Sequence, residues 1–278
     1  MLGKVITVNL FKGGVGKTTL TQLLGYILSK NGYKVLLIDA DPQFNLTKKV
    51  LRTYPDLDLR KSPTFMSGLE NGDLGKVVSK VSENLSIIQG SLGLADLDMF
   101  LAEKMYQEKN DSAMYLYYKQ LIDKAEFRYQ FDFILIDTVP TISANTNNCL
   151  CASDYLLIPV QTEQDCLDNL VQMLPYVNMI KENYHPKLEI IGIVPYLVDR
   201  KATSKELLRE IYETYRELVF WQRINDSAVV SRWGKTGITE HKSYDKRTLI
   251  KYEEITREML KRLNLPFYKP NEHTFIFE

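Results

Sequence analysis

The stretch KVITVNLFKGGVGKTTL, residues 4–20, decides the fold. Its first half is a short apolar run rich in β-branched residues, which reads as a buried strand. Its second half is glycine-rich and ends in Gly16-Lys17-Thr18, the close of the phosphate-loop pattern G-x-x-x-x-G-K-[ST]. Leu20, Leu23, Leu24, Ile27 and Leu28 then recur at helical spacing up to Gly32, which suits a helix C-terminus. Strand, glycine loop and helix in this order predict backbone N–H groups and a helix dipole turned toward an anion. One position breaks the pattern. Phe11 stands where the first glycine belongs, and an extra lysine, Lys12, follows it.

Working outward, apolar runs at 34–39, 85–90, 131–138, 154–161 and 188–198 read as further buried strands. Helical patterns at 18–32, 111–126 and 164–183 lie between them. Thr203-Ser204-Lys205-Glu206 reads as a capping box for another helix. Buried strands alternating with helices predict a single doubly wound α/β domain over residues 1–278, mostly parallel, with helices on both faces. Residues 45–84 and the tail 264–278 are the least regular.

The composition excludes several classes. The 278 residues are 45% hydrophobic and 25% charged, with 35 basic and 35 acidic side chains, so the chain can bury a core and is not a uniformly basic polyanion binder. Cys149, Cys151 and Cys166 show no C-x-x-C spacing, which argues against a disulfide framework, a zinc site or an iron–sulfur site. All three are expected as small core residues of a cytoplasmic protein. No apolar run approaches the roughly 18 residues that span a bilayer, and the N-terminus lacks a signal-peptide pattern.

Ligands of open α/β sheets bind beyond the carboxyl ends of the strands. Three strand ends carry suitable chemistry. The loop supplies Gly13, Gly14, Val15, Gly16, Lys17, Thr18 and Thr19 for the phosphates of a nucleotide. Lys17 suits the β- and γ-phosphates, and the Thr18 hydroxyl suits Mg²⁺. The second strand ends in Asp39-Ala40-Asp41-Pro42-Gln43. The third ends in Asp137, where a carboxylate completes the Mg²⁺ shell of a phosphate-loop NTPase.

KGGVGKTT, LLIDADPQFNLT, FDFILIDTVP and DYLLIPVQTEQDCLDNL together resemble the ParA/MinD group of deviant-Walker ATPases, and most closely the ParA-type partition ATPases. The likeness runs from residue 4 to about 262. Phe44 stands where the family usually has a small residue, Val139 replaces a proline, and no helix-turn-helix segment precedes the first strand. The resemblance implies ATP and Mg²⁺ as ligands and an ATP-dependent homodimer in which Lys12 touches the partner's phosphates. It assigns catalysis to Lys12, Lys17 and Asp41, with Asp41 orienting the attacking water. Thr18, Asp39 and Asp137 are expected around the metal. It further implies non-specific binding to double-stranded DNA in the nucleoid and a ParB-type partner that stimulates hydrolysis.

The fold is shared by membrane-positioning ATPases, electron-transfer ATPases and tyrosine kinases, so it does not choose among them. The tail LNLPFYKPNEHTFIFE carries two prolines and ends acidic, unlike a basic amphipathic anchor, so no stable membrane association is expected. The MinD-like reading is the alternative. Residues 221–262 hold ten Lys and Arg against six carboxylates. Arg223, Arg232, Lys235, Lys246 and Arg247 are the DNA-binding candidates there. Arg200 is a candidate contact to nucleotide or partner, and the adenine pocket is expected after 188–198 and around 224–226.

Overall fold

The computed structural model describes residues 2–109, 113–199 and 201–268. β1 (Lys4–Val8) leads through the glycine loop into α1 (Lys17–Lys30) and β2 (Val35–Asp39). Then come α2 (Asn45–Thr53), α3 (Phe65–Glu70), β3 (Ser79–Lys80), β4 (Leu85–Ile88), α4 (Leu97–Glu108), α5 (Ala113–Lys124) and α6 (Phe127–Gln130). The second half alternates more simply, through β5 (Phe133–Asp137), α7 (Ala144–Ala152), β6 (Tyr155–Val160), α8 (Gln164–Asn183) and β7 (Glu189–Pro195). It closes with α9 (Ala202–Tyr215), α10 (Ala228–Thr236) and α11 (Ser243–Arg262).

The seven strands form one sheet in the order β3-β4-β2-β5-β1-β6-β7. Every neighbouring pair is parallel except β3 on β4. Strands buried on both faces need apolar residues at every position rather than at alternate ones. VLLID and FILID meet that need, and β2 and β5 are buried throughout. One face of the sheet packs Ile6, Val8, Leu37 and Leu135 against Leu20, Leu24 and Ile27 of α1 and against Tyr252, Ile255 and Met259 of α11. The other packs Val5, Leu36, Ile134 and Ile136 against α3, α4, α5 and α7. Beyond β1, Leu156, Ile158 and Ile193 meet α8 and Ile211 of α9. Each fully buried Leu or Ile contributes about 1.5–3 kcal/mol relative to exposure, so α1, with five such residues, is held chiefly by its inner stripe.

α1 stops as its sequence predicts. Asn31 caps it, Gly32 turns into the left-handed region at φ 87°, and Tyr33 N–H reaches back to the Leu28 carbonyl at 3.1 Å. These bonds satisfy the last-turn carbonyls. The predicted strands and the 164–183 helix lie where expected, within two or three residues at most ends. Of the 111–126 helix, residues 111 and 112 lie outside the described residues, as do Arg200 and residues 269–278 of the tail.

One local prediction is wrong. α9 begins at Ala202 with Lys201 as its cap residue, so Thr203 is already inside the helix and caps nothing. Ser204 instead faces inward and donates to the Thr162 carbonyl at 3.4 Å. Among the described residues no helix is long and apolar enough to cross a membrane.

Candidate active site

β1, β5 and β2 are adjacent, and their register aligns Val8 with Asp137 and Asp39 with Asp137. The three loops that carry chemistry therefore leave the sheet side by side. Gly14 and Gly16 have φ of 80° and 90°, the left-handed region that favours glycine. Gly16 is constrained twice, because a Cβ there would lie 2.2 Å from Cε1 of Tyr196, just after β7. Phe11 needs no such freedom. Its ring packs edge-on against Tyr176 of α8, with ring centroids 5.4 Å apart, and joins the core beneath β6. The side chain at this position serves the core, and its backbone is outside the left-handed region.

Lys17 curls back into its own loop. Its ammonium donates to the Leu10 carbonyl at 3.1 Å and the Lys12 carbonyl at 2.8 Å, and the residue is 7% exposed. Burial lowers its pKa to about 8, while Asp137 and Asp41 pull in the opposite direction. Gly13 and Gly14 are exposed, Val15 is buried, and Thr18 and Thr19 are half-buried at the start of α1. Lys12 behaves differently. It leaves the loop to pair with Asp165 of α8 at 3.0 Å, and that hydrogen bond raises its pKa.

The carboxylates divide the work. Asp39 is fully buried, and its Oδ2 accepts from Thr47 N–H at 2.8 Å and from the Thr47 hydroxyl at 2.6 Å. Burial raises its pKa, and the Thr47 bonds oppose the rise. Asp41 is half-buried and caps the following turn by accepting from Gln43 N–H at 2.8 Å. Asp137 is fully buried with neither oxygen hydrogen-bonded among the described residues. Burial drives its pKa well up, and nearby Asp39 adds to the rise. Thr18 and Lys17 pull it down only in part.

An orphaned buried carboxyl beside a threonine hydroxyl fits a hard cation that is completed by phosphate oxygens. Asp137 and Thr18 would hold Mg²⁺ directly. Asp39 has its Oδ2 committed to Thr47 and can reach the shell only through Oδ1, which accepts a longer bond from Asp41 N–H at 3.4 Å. Asn9, just after β1, is likewise buried, with its amide nitrogen and oxygen unpartnered among the described residues.

The DNA-binding candidates are scattered over one region. Arg223, Lys235, Lys246 and Arg247 are exposed. Arg232 is not a free surface charge. It pairs with Asp245, which is 1% exposed, and stacks over Tyr244 at 4.9 Å. Asp245 also accepts from Thr239 and from Lys242 N–H at the start of α11. The two segments expected around adenine are adjacent: Val198 N–H meets the Ile224 carbonyl and Asn225 donates to the Val198 carbonyl at 3.1 Å. Asp165, Thr47 and Tyr196 escape sequence reading, because nothing local in the sequence links them to the loop.

The AAA domain family profile matches residues 3–190. The sporulation initiation inhibitor protein Soj of Bacillus subtilis (strain 168) is 30% identical over 220 residues, which is 79% of this chain and 83% of Soj. This chain belongs to the ParA-type partition ATPases. The ParA-type fold is equally evident in solved structures. A putative plasmid partition protein from Borrelia burgdorferi B31, bound to AMPPNP, superposes with a TM-score of 0.74 at 27% identity, covering 94% of this chain and 99% of that one. A variant of McdA from Cyanothece, in complex with ATP, gives a TM-score of 0.79 at 21% identity, covering 95% and 97%, a likeness of fold alone.

Proposed function

We propose that this chain is an ATP-dependent DNA partition ATPase that hydrolyses ATP to ADP and phosphate with Mg²⁺. The ATP-bound form is a sandwich homodimer that grips double-stranded DNA without reading sequence. A ParB-type partner stimulates hydrolysis and releases it in the cytoplasm. The observation that carries the reading is the pairing of two lysines with opposite destinations. Lys17 is folded into its own phosphate loop, while Lys12 is directed outward to Asp165. A lysine that leaves its own loop is available to the phosphates of a second subunit. Phosphoryl transfer builds negative charge on phosphate oxygens, and a cation supplied in trans raises GTPase rates by roughly 10³–10⁵.

Within each subunit, Gly13 to Thr19 bind the phosphates through backbone N–H groups, and Lys17 exchanges its two carbonyls for phosphate oxygens. Thr18 and Asp137, with Asp39 behind, would hold Mg²⁺, which when bound would neutralise charge on those oxygens. Asp41 orients the attacking water in line with the γ-phosphate. The Thr47 bonds hold Asp39 and fix the loop that carries Asp41.

The test is binding to unrelated duplexes with and without ATP, beside sedimentation with anionic liposomes. ATP-dependent binding to every duplex is expected, near 10⁻⁴–10⁻⁶ M and steeply salt-dependent. Sedimentation with liposomes and no DNA binding would favour a MinD-like role.

A further inference from the structure

The DNA candidates read from sequence all lie between 221 and 262, yet the fold brings a second basic element beside them. α2 buries Leu46, Thr47 and Val50 and turns Lys49 and Arg52, one helical turn apart, toward α10. The two helices are dovetailed. Arg52 donates to the Gly234 carbonyl at 2.7 Å, and a Cβ on Gly234 would stand 4.0 Å from Nζ of Lys49. Gly237, at φ 78°, passes so close that a Cβ there would lie 2.1 Å from the Arg52 carbonyl oxygen. Thr53 meets Ile238 N–H at 3.1 Å. Lys235 sits on the same helix turn as Gly234 and is exposed.

Charge on this ridge is unbalanced. Among the described residues no carboxylate pairs with Lys49 or Arg52. Asp245 is engaged by Arg232 and Glu240 by Lys30 and Tyr26, while Asp137 acts on Lys49 through its field without pairing with it. Burial lowers the Lys49 pKa and the neighbouring Arg52 lowers it further, while Asp137 opposes the fall. Arg232, neutralised by Asp245, and Lys242, which is exposed, flank the ring of Tyr244 at 4.9 and 5.5 Å. A ridge of cations without a pocket suits a regular polyanion rather than a small ligand.

We propose that the DNA-gripping surface begins on α2, with Lys49 and Arg52 contacting backbone phosphates of the same duplex as Lys235 of α10. This rests on the DNA-binding reading above. It places the duplex on the helix that starts four residues after Asp41 and carries Thr47, the residue that holds Asp39. DNA and the hydrolytic loop then share one rigid element.

The test is the double variant Lys49→Gln, Arg52→Gln, whose amide at 52 keeps a donor for the Gly234 carbonyl. Fluorescence anisotropy with two unrelated duplexes is followed across a salt series, with a non-hydrolysable ATP analogue. Removing one phosphate interaction flattens the slope of log K against log salt by about 0.9, so removing one or two weakens binding about 8- to 60-fold at 0.1 M salt. Both duplexes should be affected alike, while analogue affinity and the dimer seen by light scattering stay unchanged. The proposal is overturned if Lys235→Gln weakens binding but the double variant keeps the parental slope. It is also overturned if the double variant loses nucleotide or dimer, which would assign Lys49 and Arg52 to the site or the subunit contact. If the parent binds no duplex with the analogue, the DNA reading itself falls and takes this surface with it.

Discussion

Asp137 ends its strand with two buried oxygens that have no hydrogen-bond partner among the described residues, a cost of about 1–3 kcal/mol for each unsatisfied polar group. Natural sites keep such a group when it works on a ligand. Asp137→Asn keeps the shape but removes the acid. Its amide would be as unpartnered as the carboxyl oxygens, so the nucleotide-free protein should change little in stability, while Mg²⁺-dependent hydrolysis should be abolished. Urea unfolding and phosphate release check the two halves, and an Asn variant that still hydrolyses ATP would contradict the account. Gly16→Ala acts on stability as well. The left-handed φ costs about 1–2 kcal/mol and the clash with Tyr196 about 1–3 more. The variant should lose about 2–5 kcal/mol in urea unfolding and bind fluorescent ATP poorly. Lys17, Thr18, Asp41 and Asp137 are legible in the sequence because their types and their places at strand ends already carry the chemistry. Asp165 and Tyr196 are not. Each reaches the loop from more than a hundred residues away, and only the sheet order brings it there.

At the scale of elements, long apolar strands and the strongly periodic α1 and α8 can be read directly. Residues 45–84 cannot, since α2, α3 and β3 are short and their inner faces are fixed by tertiary contacts. The misplaced cap at Thr203 has the same origin. S/T-x-x-E is a local signal, and here the chain enters the helix two residues early so that Ser204 can meet Thr162. The start of α11 holds a further device. Burial pushes the Asp245 carboxyl up, but Thr239 and Arg232 outweigh it and hold the pKa below the normal carboxylate range. A carboxyl with a depressed folded pKa stabilises above its unfolded value, near 3.9, and that support goes as the pH falls through the lower folded value. Asp245→Asn should therefore lower the melting temperature at pH 7, with the gap to the parent closing in strong acid. An equal gap at every pH would leave the ion pair without a role. Removing Arg232 strands this carboxylate, so charge-removing tests of DNA binding are cleaner at Lys235, Lys246 and Arg247.

At the scale of the molecule, one mostly parallel sheet aligns three chemical loops and leaves Lys12 paired with Asp165 of α8. The proposed trans action has a direct check. Lys12→Ala and Lys17→Ala chains, each inactive alone, are mixed and phosphate release is followed. In a mixed dimer the Lys12→Ala subunit keeps its own Lys17 and receives Lys12 from its partner, so part of the activity should return. Full activity of Lys12→Ala alone would make the lysine a bystander. The three cysteines lend the fold a different use. Cys149 and Cys151 in α7 and Cys166 in α8 are fully buried, and burial pushes every thiol up, Cys151 to about 12. A thiol reagent at pH 8 therefore meets almost no reactive thiolate until the layer over β1 and β6 opens. Alkylation rate becomes a clock for that opening. ATP with Mg²⁺ should slow it in proportion to site occupancy, since a ligand that binds only the closed form suppresses the open one. Mass spectrometry of labelled chains would read the opening free energy without any denaturant, and labelling at the rate of free cysteine would mean that the layer is never closed.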